Sequence, residues 1–227
     1  MGTTTSSLTS NNASIISTVA DSFTVLSGAK VNLKNTRTSI TAGISGEAIS
    51  VGNNVKIDVN IKKDAFMNVE SNVISSNVYS SPAPFLLDGN GQQTMVLNGE
   101  LNIKSMNGNG LVFKNNSTGN KNLAVGKGGV LNINCTPTNV NTEYAALSLY
   151  GNNVTKVVTF KDGAQVNIKS TGYRAISLAG GNRTLNAEGQ ETVLNAEGDS
   201  WAIANEVPGG SNNIAVYNVK GGAPKQT

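Results

Sequence analysis

The sequence predicts an all-β chain: a right-handed parallel β-helix, or β-solenoid, of about six coils, each roughly 31 residues long with three short strands. Two recurring phrases and one periodicity predict it. The first phrase is AKVNL at 29–33, AFMNV at 65–69, GELNI at 99–103, GVLNI at 129–133 and AQVNI at 164–168. The second is EAISVGNN at 47–54, GLVFKNN at 110–116, AALSLYGNN at 145–153 and RAISLAGGN at 174–182. Within the phrases apolar residues alternate with polar ones: Val166 and Ile168 flank Asn167, Ile176 and Leu178 flank Ser177, Val158 and Phe160 flank Thr159. Period two is a strand with one set of side chains inward, and no 3.6-residue helical period competes with it. One such repeat cannot bury its apolar face alone, so the coils must stack.

Taking Ala48, Pro84, Gly110, Ala146, Ala175 and Ala202 as equivalent gives the interval. The first strand of each coil reads TVL at 24–26, VNI at 59–61, MVL at 95–97 and VTF at 158–160. The second is the VNI-like phrase and the third the AISL-like phrase. Gly, Asn, Asp and Ser fill the corners, where left-handed conformations are needed. Val158, Phe160, Val166, Ile168, Ile176 and Leu178 should point inward and Asn167 outward. Residues 1–19 read as a lead-in or cap, with MetGly as a cloning remnant and TTTSSLTSNN at 3–12 as a flexible run. One solenoid domain should cover 20–223. SNNIAVYNVKGGA at 211–223 repeats the opening of a coil, so residues 224–227 read as a linker or the start of a further segment.

Composition fits an elongated β-domain. Charged residues are 14%, below the usual quarter, and 33 residues are Asn, so the chain lacks the charge and Pro excess of disorder. No apolar run approaches a membrane span, so no membrane insertion is expected, and no signal peptide is visible. With no His, histidine-based triads and most zinc sites are excluded, and no cofactor or metal is expected. Cys135 stands alone at the position of Ser105 and Ser170 and reads as a small corner residue. Nucleic acid is excluded because no basic cluster interleaves with aromatics.

The outward residues should carry function. Asn32, Asn68, Asn102, Asn132 and Asn167 should stack as one row, which is either an amide ladder or a polar track. Two residues on lie Lys34, Glu70, Lys104, Asn134 and Lys169, a mostly basic row. The outward row of the third strand reads as small: Ala48 and Ser50, Ala146 and Ser148, Ala175 and Ser177, Ala202 and Ala204. Aromatics are scarce, and Tyr144, Tyr150, Tyr173 and Trp201 gather with Arg174 and Arg183 in the last third. Aromatic faces stack on sugars and Arg pairs with carboxylates or sulfates. The plainer reading is that Trp201 and Tyr217 close the end of the solenoid and that the tyrosines stack as a ladder. The six Asp do not form one ladder, Asp64 and Asp162 lie several coils apart, and Glu188, Glu191, Glu197 and Glu206 fall in Gly-rich sequence. That argues against a lyase or hydrolase.

NNVTKVVTFKDGAQVNIKSTGYRAISLAGGN at 152–182, echoed at 47–72 and 95–116, resembles the pectate-lyase-like adhesive domains of Gram-positive, lactobacillus-type cell-surface proteins. The resemblance covers about residues 20–223 and rests on coil grammar. It implies a non-catalytic adhesin domain, extracellular and cell-wall anchored through other regions, that binds host or matrix glycans and glycoproteins. The net charge of +3 tilts the expected ligand slightly toward acidic glycans. The candidate binding residues are Tyr144, Tyr150, Tyr173, Arg174, Arg183, Trp201, Lys34, Lys104 and Lys169. Homotypic association, as in bacterial aggregation, or a spacer role is the alternative.

Overall fold

The computed structural model describes residues 5–10, 15–38, 47–74, 83–106, 109–113, 119–138, 145–151, 154–172, 174–178 and 180–204, and the backbone of 215–220. Sheet one contains Ser22–Val25, Lys56–Ile61, Gln92–Leu97, Lys121–Val125, Thr155–Lys161, Asn182–Glu188 and Ala215–Lys220. Sheet two contains Thr5–Ser10, Lys30–Asn35, Phe66–Ser71, Glu100–Ser105, Val130–Cys135, Gln165–Ser170 and Val193–Gly198. Sheet three contains Ile16–Val19, Ile49–Gly52, Phe85–Asp88, Leu111–Phe113, Ala145–Leu149, Arg174–Ser177 and Trp201–Ala204. Each strand pairs in parallel with the equivalent strand one coil away. The chain visits sheets three, one and two in turn: a right-handed parallel β-helix. From Ile16 to Gly198 it makes six complete coils, with one strand before them and two after.

The register follows the phrases. Asn32, Asn68, Asn102, Asn132 and Asn167 are successive partners in sheet two. The equivalence of Ala48, Pro84, Gly110, Ala146, Ala175 and Ala202 holds through the pairings of Ile49, Phe85, Leu111, Leu147, Ile176 and Ile203. Val158, Phe160, Val166, Ile168, Ile176 and Leu178 are all buried in one continuous core, with Phe85 and Phe113 fully enclosed. Burying such side chains is worth roughly 1.5–3 kcal/mol each.

Three expectations need correction. The first-coil strand is shifted by one residue: Phe23 and Val25 pair with Val59 and Ile61, and Leu26 is 67% exposed at the corner beyond. Residues 5–10, inside the run read as flexible, form a strand against Lys30–Asn35. The outward row of sheet three is not an open surface of small residues. It runs Ser50, Leu86, Val112, Ser148, Ser177. Leu86 and Val112 are buried in a second small cluster with Ala83, and Ser148 and Ser177 are buried too. Ala48, Ala146 and Ala175 pack into the main core.

The corner from sheet one to sheet two sets up the surface described next. Inward residues on its two sides are Val25 and Val31, Ile61 and Met67, Leu97 and Leu101, Val125 and Leu131, Phe160 and Val166. The separation is six residues except from Leu97 to Leu101, where it is four. The longer corners turn through left-handed residues, Gly28, Asp64, Gly128, and Asp162 with Gly163. The short one turns tightly through Asn98 and Gly99. A Cβ on Gly99 would lie 2.4 Å from the Lys62 carbonyl oxygen, so only glycine fits there.

Candidate functional site

The asparagine row is a hydrogen-bonded ladder. Asn132 Nδ2 donates to Asn102 Oδ1 at 2.7 Å, Asn167 Nδ2 to Asn132 Oδ1 at 2.9 Å, and Asn195 Nδ2 to Asn167 Oδ1 at 2.8 Å. Further down, Asn32 Nδ2 donates to Ser7 Oγ. Asn132 and Asn167 spend both donor and acceptor on their ladder neighbours, so this part of the face stabilises the stack.

The row beside it sets three lysines against two glutamates. Its register is Lys34, Glu70, Lys104, Asn134, Lys169, Glu197. Lys34 Nζ lies 3.0 Å from Glu70, Lys104 Nζ 3.9 Å from the same carboxylate, and Lys169 Nζ 2.7 Å from Glu197. The row is mostly basic as expected, and each of its lysines has a carboxylate within 3.9 Å, with Lys34 and Lys104 sharing that of Glu70.

The C-terminal cluster divides. Arg174 and Trp201 are register partners at the start of adjacent sheet-three strands, and Trp201 is 44% exposed. Tyr150 is partly buried against the small apolar cluster of Leu86 and Val112. Tyr144 and Tyr173 lie outside the described residues, as does the side chain of Tyr217, whose backbone pairs with Leu185. Arg183 is a correction: it is 4% exposed and points into the solenoid, where Nε donates to the Gly181 carbonyl. Its parity explains this, since Leu185 and Ala187 on the same strand are inward at period two.

Arg183 tops an inward polar ladder. Gln93, Lys121, Lys156 and Arg183 are successive sheet-one partners, all buried. Gln93 Nε2 donates to the Gly89 carbonyl, and Lys156 Nζ donates to the carbonyls of Gly151 and Gly180. Among the described residues Lys121 Nζ and Gln93 Oε1 have no hydrogen-bond partner. Burial lowers the Lys156 pKa to about 7, with the positive charges of Arg183 and Lys121 adding to it, and burial lowers that of Lys121 to about 8. Cys135 is buried, and burial raises its thiol pKa, making it an unreactive corner residue.

A group of exposed lysines, with the exposed carboxylate of Asp64 among them, lies at the corner from sheet one to sheet two. Lys30, Lys62, Lys63 and Lys127 are exposed there, and none makes an ion pair or side-chain hydrogen bond among the described residues. They surround two adjoining concavities of about 810 and 420 Å³ that share Lys63, Asn98, Lys127 and Gly128. Sequence reasoning missed this site. Its signal is the two residues missing between Leu97 and Leu101, which a reading focused on strands passes over.

Among the described residues no group of three or more His, Cys, Asp or Glu could hold a metal, and no helix is long and apolar enough to cross a membrane. No family model, curated protein or solved structure matches this chain.

Proposed function

We propose that this chain is a non-catalytic adhesive domain of a bacterial cell-surface protein, extracellular in setting, that binds acidic glycans or glycoproteins of the host or matrix. The observation that carries this reading is the group of unpaired lysines at one edge of a rigid rod. Exposed ammoniums without partners attract anions, and binding them displaces no existing ion pair. The rod's core and amide ladder hold that edge in one conformation, so little ordering cost falls on binding. The coil grammar of residues 152–182, with its resemblance to Gram-positive adhesive domains, supports the biological setting.

A glycan array read at low and high salt tests the proposal. Retention should favour sulfated, sialylated or uronate glycans over neutral ones and weaken as salt rises. If no glycan is retained and the chain sediments as a concentration-dependent dimer, homotypic association replaces this reading. Steady product release from polygalacturonate would replace it with an enzyme.

A further inference from the structure

The short corner at Asn98–Gly99 is flanked by two longer ones, and the result is a saddle. Lys63 and Lys127 hold equivalent places in the corners below and above it. They are two rungs apart, about 9–10 Å along the rod. The intervening coil would carry a third corner of the same height, but it is two residues shorter and leaves a gap. Asn98 and Gly99 form the floor, and a Cβ on Gly126 would meet Asn98 Oδ1 at 2.4 Å, so the upper wall packs tightly onto that floor.

Each slope of the saddle carries one large apolar side chain among charged ones. On the sheet-one side is Leu26, 67% exposed, with Lys62 beside it. On the sheet-two side is Phe66, an outward residue of its strand, with Lys30 as its register partner one coil below. Asp64 and Glu100 also border this slope, and the Glu100 carboxylate accepts a hydrogen bond from Asn102 Nδ2 at 2.8 Å; against these two carboxylates stand Lys30, Lys62, Lys63 and Lys127, so the two concavities keep a positive excess. An apolar side chain on each side of a pass flanked by two lysines is amphipathic in the same way as an acidic sugar. A pyranose ring offers a face of C–H groups that packs on an aromatic ring, and its sulfate or carboxylate needs cations. The larger concavity, about 810 Å³, falls within the range of small-ligand sites.

We propose that this saddle is the subsite for an acidic polysaccharide, which crosses the rod at the short corner. Its sulfate or carboxylate sits between Lys63 and Lys127, and an adjoining sugar ring lies on Phe66. This rests on the glycan-binding reading above and adds to it a location, a crossing direction and a residue set that excludes the row of Lys34, Lys104 and Lys169.

The test is calorimetric titration of the whole chain with three tetrasaccharides: a sulfated heparin fragment, tetragalacturonate and neutral maltotetraose. At least one acidic probe should bind one to one and the neutral probe should not. The stronger acidic probe tells sulfate from carboxylate. Lys63→Gln with Lys127→Gln should weaken the acidic probe about tenfold or more. Phe66→Ala should weaken it about fivefold while leaving inorganic sulfate unaffected, because the ring contacts sugar and not the anion. Lys34→Gln with Lys104→Gln and Lys169→Gln should change it less than about twofold. All these side chains are outward, and unchanged thermal melting will establish that each variant is folded. If the Lys63 and Lys127 variant binds like wild type, the saddle is not the subsite, though glycan binding stands. If neither acidic probe binds wild type, both the saddle and the glycan reading fall.

Discussion

Two cationic ladders run up this solenoid at the same rung spacing, one outside and one inside, and they solve the same electrostatic problem in opposite ways. The outward ladder mixes signs: Lys34 and Lys104 share the Glu70 carboxylate, and Lys169 meets Glu197. The inward ladder stacks Lys121, Lys156 and Arg183 in succession, and backbone carbonyls at the glycine corners serve Lys156 and Arg183. Outside, water screens the charges and pairing is worth little. Inside, each charge is desolvated, and Lys156 and Arg183 offset part of that cost by donating to backbone carbonyls. A lysine's identity therefore says less about its role than the parity of its position on the strand.

The largest test of this contrast is Lys156→Ala. It removes the donor to Gly151 and Gly180 and opens a cavity at a fully buried position. It should cost roughly 2–4 kcal/mol in urea unfolding, whereas Lys104→Ala should change stability by no more than about 0.5 kcal/mol. Equal small effects would show that the inward ladder holds nothing in place.

A pH series sharpens the contrast further. The folded chain holds Lys156 near 7 and Lys121 near 8, while both titrate near 10.5 when unfolded. Across that window the unfolded state binds more protons, so stability rises with pH, and below it the full cost of the buried ammoniums is present. The urea midpoint should increase between about pH 6.5 and pH 8.5, below the range near 9.0 where the unfolded thiol of Cys135 begins to oppose it. Lys156→Met should flatten the profile. A midpoint that stays flat over this range would mean that both amines stay charged in the folded chain.

The smallest effect concerns the neutral ladder on the outward face. Asn132→Ala breaks two amide bonds, to Asn102 and from Asn167, and Asn195→Ala breaks one at the end of the run. The first should cost about 1 kcal/mol and the second about half of that, by chemical denaturation. No difference between them would make the ladder a geometric consequence of stacking and not a source of stability.

Much of the fold is legible in the sequence because every coil repeats the same alternation, and repetition averages out local ambiguity. Asn167 and its equivalents align without error over five coils. The failures fall where the repeat has one instance or where chemistry was taken as a guide to direction. TVL at 24–26 was one residue out because the first coil has little below it to set the register, and Leu26 has the composition of a core residue. Arg183 was read outward because it is charged, although Leu185 two residues on shares its face. Of the proposed site, Lys63 and Lys127 are ordinary corner residues in the sequence, and Phe66 is an apolar residue inside a strand phrase.

The sequence by itself determined the strand order, the number of coils and the large apolar inward residues of the repeated phrases, because side-chain alternation and stacking burial leave one arrangement that hides those residues. Only the tertiary structure decided which charges are paired, buried or free. Pairing depends on residues one coil away, about 30 positions along the chain, and burial depends on what covers a face, as at Leu86 and Val112. The saddle belongs wholly to this second class. It exists because two neighbouring coils stand taller than the one between them, a height difference that appears only once the rungs are stacked.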